Sequence, residues 1–263
     1  MEPGDGSEHR WALVVEYDGT EYHGFQAQPG LPTVQGVLKE VVARVTGERV
    51  HLAASGRTDA GVHAKGQVVA FDSHSHLSSS GMTRALNFYL PGDVAVVEAF
   101  VVRAGFDPRR EARSRHYRYT ILNRKSRSPL GKRQSYHVPQ PLNVDAMALA
   151  AGILEGEHDF APFASPLKTE ASTRRTVLRA NVLRKGEMVL FDMEANAFLP
   201  LQVRRTVGAL VKVGQGKMEV GDFQRMAESG RPGMAGPTAP AQGLCLMKVS
   251  YDRPLGELRI EDF

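Results

Sequence analysis

Runs of β-branched and aromatic residues alternate with amphipathic helical stretches along the whole chain, and this interleaving confines it to folds that combine sheet and helix. Residues 11–17 are apolar and rich in strand formers, and Asp18-Gly19 follows them as a turn. Thr33 is placed to cap a helix whose Val34, Leu38, Val41, Val42 and Val45 share one face, with Gly47 as its stop. Residues 67–71 form a second strand, 82–90 a short helix closed by Pro91-Gly92, and 94–102 another strand. The mixture then repeats. A strand over 116–122 puts Tyr117, Tyr119 and Ile121 on one side, and Asn143 opens a helix that reaches Leu154. Residues 176–183 and 188–194 make a hairpin around Lys185-Gly186. A helix over 199–213 buries Leu199, Val203, Val207, Leu210 and Val211, with Pro200 tolerated near its start. Residues 231–242, rich in Pro, Gly and Ala, read as a loop before a last strand over 244–251. The expectation is an α+β protein with a disordered tail over 1–10, an N-terminal α+β domain over 11–105 and a C-terminal α+β domain over 106–263.

Charge and cysteine content narrow the setting. A net charge of +4 and a pI of about 9.2 permit a nucleic-acid partner without requiring one. The excess is concentrated: residues 103–133 hold Arg103, Arg109, Arg110, Arg113, Arg115, Arg118, Arg124, Lys125, Arg127, Lys132 and Arg133 against only Asp107 and Glu111. Such a run is either a solvated face or a surface for phosphates. Cys245 is the only cysteine, which excludes an intrachain disulfide and a cysteine-based metal site and points to a reducing cytoplasm. No stretch approaches the roughly 20 apolar residues of a membrane span, and the first ten residues lack the apolar core of a secretory signal.

The segment richest in chemistry is GRTDAGVHA, residues 56–64. Its bracketing glycines allow a tight turn and close approach of a ligand, and it presents Arg57, Thr58, Asp59 and His63 within seven residues. The same residues also fit an ordinary turn in which Asp59 bonds its own backbone, with His63 as a structural residue.

Taken with Gly66-Gln67-Val68, this segment resembles the signature of the TruA family of tRNA pseudouridine synthases, and further resemblances follow in order along nearly the whole chain. They are Glu16-Tyr17-Asp18-Gly19 with Tyr22, Gly24, Gln26 and Gln28; Thr33-Val34-Gln35-Gly36; Leu90-Pro91-Gly92-Asp93-Val94; Phe106, Arg109, Ala112, Arg115, Tyr117 and Tyr119; Gly156, His158-Asp159-Phe160 and Phe163; and Asn196-Ala197-Phe198-Leu199 with Val203-Arg204. One departure stands out: Leu201-Gln202 precede Val203-Arg204, where the family commonly has a histidine-methionine pair.

The resemblance implies a pseudouridine synthase fold, with two α+β halves of mixed or antiparallel sheet flanked by helices and a central RNA-binding cleft. It implies conversion of uridine to pseudouridine at positions 38, 39 and 40 of the tRNA anticodon stem-loop, without cofactor or metal, by a cytoplasmic homodimer. By the same resemblance Asp59 is the catalytic carboxylate, Arg204 its cationic partner, Tyr117 the ring that stacks on the target uracil, and Arg57 a residue that helps hold the extruded nucleotide. Read from the residues alone, Tyr117 also fits a core strand position and Arg204 a surface helix position, while Tyr119 is placed in the core. Two competing functions remain at this point. One is a noncatalytic RNA-binding module, against which the carboxylate argues. The other is a hydrolase using Asp59 and His63, which lacks a second acid or a metal motif at recognisable spacing.

Overall fold

The computed structural model describes residues 7–165 and 172–258. Its contacts divide the chain into two units, Met1–Arg113 with Leu246–Phe263, and Ser114–Cys245.

In the first unit, strands β1 (His9–Tyr17), β2 (Ala53–Ala54), β3 (His63–Ser73) and β4 (Val94–Val102) come with helices α1 (Val34–Thr46) and α2 (Ser79–Tyr89). β1 lies between β4 and β3, antiparallel to both, and β2 pairs antiparallel with β3. The pleat sends Trp11, Leu13, Val15 and Tyr17 to one face, all buried, opposite Phe71, Val69 and Gln67 for the first three. On the other face Ala12, Ala70, Val102 and Phe106 form a second cluster. α1 follows the pattern expected of it: the Thr33 hydroxyl accepts from Gly36 N–H, Gly47 ends the helix, and Val34, Leu38, Val41 and Val42 are buried. α2 is tied to β4 by one amide, since Asn87 accepts from Val96 N–H at 2.7 Å and donates to Val96 O at 2.8 Å.

The second unit contains β5 (Ser114–Leu122), β6 (Tyr136–His137), β7 (Gly156–Asp159), β8 (Arg174–Lys185) and β9 (Met188–Ala195), with α3 (Val144–Gly152), α4 (Gln202–Gly214) and α5 (Val220–Glu228). Its strands run in the order β5, β9, β8, β7, all antiparallel, with β6 added parallel to the end of β5. Tyr117, Tyr119 and Ile121 alternate inward as expected, opposite Met193, Phe191 and Val189. Phe160, Phe163 and Phe223 stack in tilted pairs with centroids 6.0 and 5.8 Å apart, joining α5 to the core.

The α+β class is as expected, and three boundaries differ. His9 and Arg10 belong to β1, so the tail placed over 1–10 is shorter at its inner end, and residues 1–6 lie outside the described residues. The helix expected from Leu199 begins at Gln202. The last strand, β10 (Leu244–Ser250), neighbours β3, and the residues after it join the first unit, whereas the sequence division kept residues 106–263 together. The reason is nonlocal pairing: Arg103 N–H donates to Leu258 O, Arg113 N–H to Ser250 O, and the Arg113 guanidinium grips the Asp252 carboxylate with two hydrogen bonds.

Candidate active site

Asp59 sits on the loop between β2 and β3, and that loop is pinned from several sides by the segment after β1. The Tyr17 hydroxyl meets the Thr58 hydroxyl at 2.8 Å in a buried pair, and Thr58 O accepts from Phe25 N–H at 3.1 Å. Gly61 N–H donates to Tyr22 O, and Val62 N–H closes the turn on Asp59 O. Tyr22 is itself fixed, since its hydroxyl donates to Asp93 at 2.7 Å while Asp93 O takes Asp18 N–H. Burial, then the adjoining Asp93 carboxylate, push the Tyr22 phenol pKa up, so the hydroxyl remains a donor.

Two glycines permit this close approach. A Cβ at Gly19 would stand 2.0 Å from Val62 O, and one at Gly24, where φ is +94°, would stand 2.9 Å from Thr58 O. His63 acts as a buried brace, its Nδ1 accepting from Gly19 N–H at 3.0 Å. The same nitrogen is 3.1 Å from Asp18 Oδ1. It cannot accept from the amide and donate to the carboxylate at once, and the amide bond fixes it as the acceptor. Gln67, fully buried, receives the Ser55 hydroxyl at 2.6 Å and donates to Gly56 O at 3.0 Å, tying the two stems of the loop. On this frame Asp59 is half-buried and Arg57 exposed.

Tyr117 and Arg204 lie in the second unit. Tyr117 on β5 is 8% exposed, with its ring edge-on to Phe198, centroids 5.0 Å apart. Arg115 on the same strand donates to Asn196 O, which anchors the chain leading into Phe198. Arg204 on α4 is held to the loop after α5 in both directions: its Nε donates to Ala239 O at 2.9 Å, and Ala239 N–H donates to Arg204 O at 3.0 Å. Tyr119, fully buried as expected, donates to Pro240 O in the same loop at 2.7 Å. Burial raises its phenol pKa and the Arg204 charge opposes the rise, which places that cation within electrostatic reach of the strand bearing Tyr117. Ala239 and Pro240 were not legible as site residues, because they act through main-chain oxygens that no side-chain pattern reports.

The departure at Leu201-Gln202 has a definite structural expression. Leu201 is the only non-glycine residue with positive φ, +64°, among the described residues. Gln202, 1% exposed, turns its carboxamide oxygen to Leu199 N–H at 2.8 Å, while its Nε2 has no partner among the described residues. The turn 199–202 therefore replaces the first helical turn that the apolar spacing suggests.

The basic run is less uniform than its sequence. Arg103 pairs with Glu111, Arg110 with Asp107, Arg113 with Asp252, Arg118 with Asp192 and Arg124 with Glu187. Among the described residues no group of three or more His, Cys, Asp or Glu side chains could hold a metal ion, and no helix is long and apolar enough to cross a membrane.

Two α+β units, one presenting a carboxylate on a braced loop and the other a tyrosine and an arginine, fit the class of RNA-modifying isomerases that the motifs resemble. The family model described as tRNA pseudouridine synthase matches residues 13–107 and 150–252. The chain is 43% identical over 239 residues to the tRNA pseudouridine synthase A of Geotalea daltonii, covering 91% of this chain and 98% of that one. It is 45% identical over 241 residues to the protein of the same name from Geobacter sulfurreducens, with coverage of 91% and 98%. Among solved structures it overlays on a chain in a crystal structure of a Cbf5-Nop10-Gar1 complex with a TM-score of 0.37 and 15% identity, over 78% of this chain and 45% of that one. The chain belongs to the tRNA pseudouridine synthase family, and within it to the TruA group. It is thereby an isomerase that forms pseudouridine in tRNA.

Proposed function

We propose that this enzyme acts at positions 38, 39 and 40 of the tRNA anticodon stem-loop, with Asp59 as its catalytic carboxylate, working as a cytoplasmic homodimer. The observation that carries the site is the bracing of the loop. Five residues of the first unit, Tyr17, Gly19, Tyr22, Phe25 and Gln67, hydrogen-bond to residues of the loop and strand start around Asp59, more than an ordinary solvent turn needs, and such support fixes a reacting group in place.

The reaction is an isomerisation. The N1–C1′ bond of uridine breaks, the base turns while held, C5 joins C1′, and the C5 proton leaves. Nothing is oxidised and no group is imported, so one ionised carboxylate suits the task, either by attack on C1′ or by removal of a sugar proton. A nearby cation favours that ionised form, and Arg204 is proposed to supply it. Tyr117 is proposed to stack on the extruded uracil, worth roughly 1–3 kcal/mol, which helps offset the few kcal/mol of unstacking. Arg57, exposed beside Asp59, is proposed to help hold the flipped nucleotide.

The test is to incubate the protein with unmodified tRNA transcript and map pseudouridine, beside Asp59→Ala, Arg204→Ala, Arg204→Lys, Tyr117→Phe, Tyr117→Ala and Arg57→Ala. Product at 38–40 from the parent and none from Asp59→Ala is expected, with Arg204→Ala and Tyr117→Ala each more impaired than Arg204→Lys and Tyr117→Phe. Product from Asp59→Ala would overturn the site, and product only at other uridines would overturn the position. Sedimentation of the purified protein as a monomer would remove the dimer.

A further inference from the structure

Of the eleven cations in residues 103–133, Lys125, Arg127 and Lys132 are the three whose side chains meet no acceptor among the described residues. Two of those three line one cavity. It lies in the second unit, has a volume of about 400 Å³, and is bounded by Arg127, Lys132, His137, Ser128, Ser135 and Gln242, with Leu122 and Pro129 completing its wall. No acid is among its lining residues.

The loop that forms it is built rather than slack. The Arg124 guanidinium donates to Ser126 O and Arg127 O while holding Glu187, which fixes the backbone on which Arg127 stands. His137 Nε2 donates to Arg124 O at 2.8 Å. Gly131 is clasped from both sides, its N–H by the Ser128 hydroxyl and its carbonyl by the Ser135 hydroxyl. Pairing of His137 beside Leu122 sets the far wall on the sheet. Two exposed cations without counter-ions, lining one cavity with hydroxyl and imidazole groups, cost self-repulsion, and an anion entering the cavity relieves it.

We propose that this cavity seats a backbone phosphate of the substrate RNA, with Arg127 and Lys132 as its cationic contacts and Ser128 and His137 beside them in its lining. It rests on the reading of the chain as a tRNA-modifying enzyme and adds to it a docking point outside the residues proposed for chemistry. A phosphodiester fits better than a free nucleotide, because the cavity offers charge and hydroxyls but no Phe, Tyr or Trp ring for a base, and its one imidazole is held to Arg124 O.

The experiment measures KM, kcat and the salt dependence of tRNA binding for the parent, Arg127→Ala/Lys132→Ala and Lys125→Ala, all on unmodified transcript. The double variant is expected to raise KM about tenfold at physiological salt and to lower the slope of log affinity against log salt by about 1, with kcat at saturating tRNA unchanged. Lys125→Ala, which removes an equally uncommitted charge outside the cavity, is expected to leave both near parental values. An unchanged KM and slope in the double variant overturns the cavity while leaving the enzyme reading intact. An equal effect from Lys125→Ala also overturns it, since a diffuse field would then hold the RNA. Weakening of parental binding by millimolar inorganic phosphate at constant ionic strength, undiminished in the double variant, overturns it as well. Absence of pseudouridine from the parent itself defeats the functional reading and not this site alone.

Discussion

Asp192 couples the stability of this fold to pH. It is nearly buried on β9 and faces His116 and Arg118 across β5, at 2.7 Å from His116 Nε2 and 2.9 Å from Arg118 Nε. Burial alone would raise its pKa, and the hydrogen bonds from His116 and Arg118 overcome that and hold the carboxyl below its ordinary value. A carboxyl depressed in the folded state stabilises fully above its unfolded pKa, about 4, and that contribution is lost as pH falls through the lower folded value. Asp192→Asn is therefore expected to cost about 2 kcal/mol near neutral pH, and the gap to the parent should close on acidification below about pH 4. Thermal melts of both proteins from pH 7 to 3 check this; a gap that stays constant would show that the carboxylate charge contributes nothing.

Among the elements, α4 bears most on the proposed chemistry, and Gly208 is its most sensitive point. A Cβ there would stand 2.0 Å from Pro237 O, so the loop after α5 lies directly on the helix. That loop carries Ala239, which holds Arg204 by two hydrogen bonds, and Pro240, which holds Tyr119. Gly208→Ala should lift the loop and release Arg204 while leaving the helix formed. Displacements near 1 Å can cost about 100-fold in rate, so kcat is expected to fall by about that factor with little change in far-UV circular dichroism. A parental kcat would show that Arg204 needs no such support.

This dependence was hidden in the sequence, where residues 231–242 offered only Pro, Gly and Ala. What local pattern encodes was legible: the Thr33 and Asn143 caps, the alternation of Tyr117, Tyr119 and Ile121, and the hairpin at Lys185-Gly186. β7 was not, because Gly156–Asp159 is short, polar and defined only by its partner β8. α5 buries just Phe223 and Met226, too few apolar positions to establish a helical period. The start of α4 was misplaced because apolar spacing continues unbroken through the turn that Leu201 and Gln202 impose. For the candidate site, Asp59 stands out in its glycine-flanked motif, but its brace does not, since Tyr22 and Asp93 meet across 71 residues and Gln67 reaches a main-chain oxygen that no side-chain pattern reports.

At the scale of the whole molecule, the unit that carries Asp59 is closed by a segment nearly two hundred residues further along the chain. Tyr251 packs edge-on against fully buried Phe106, with centroids 5.3 Å apart, and its hydroxyl donates to Pro108 O. Leu255 and Leu258 pack beside it on the Ala12, Ala70, Val102 and Phe106 cluster, the face of β1 and β3 opposite Trp11. The first unit is thus incomplete until residues 251–258 are made, although the loop that carries Asp59 is complete by Val62. Tyr251→Ala removes a half-buried aromatic from this cluster and should cost about 2 kcal/mol. The loss should appear locally, because the ring packs on a cluster within the first unit and stability within a fold is unevenly distributed. Hydrogen exchange followed by mass spectrometry is expected to show faster exchange in peptides of β1 and β3, with β8 and β9 unchanged. Equal acceleration in both sets would mean that the units open as one cooperative block, and the division at Arg113 and Leu246 would then describe contacts without describing stability.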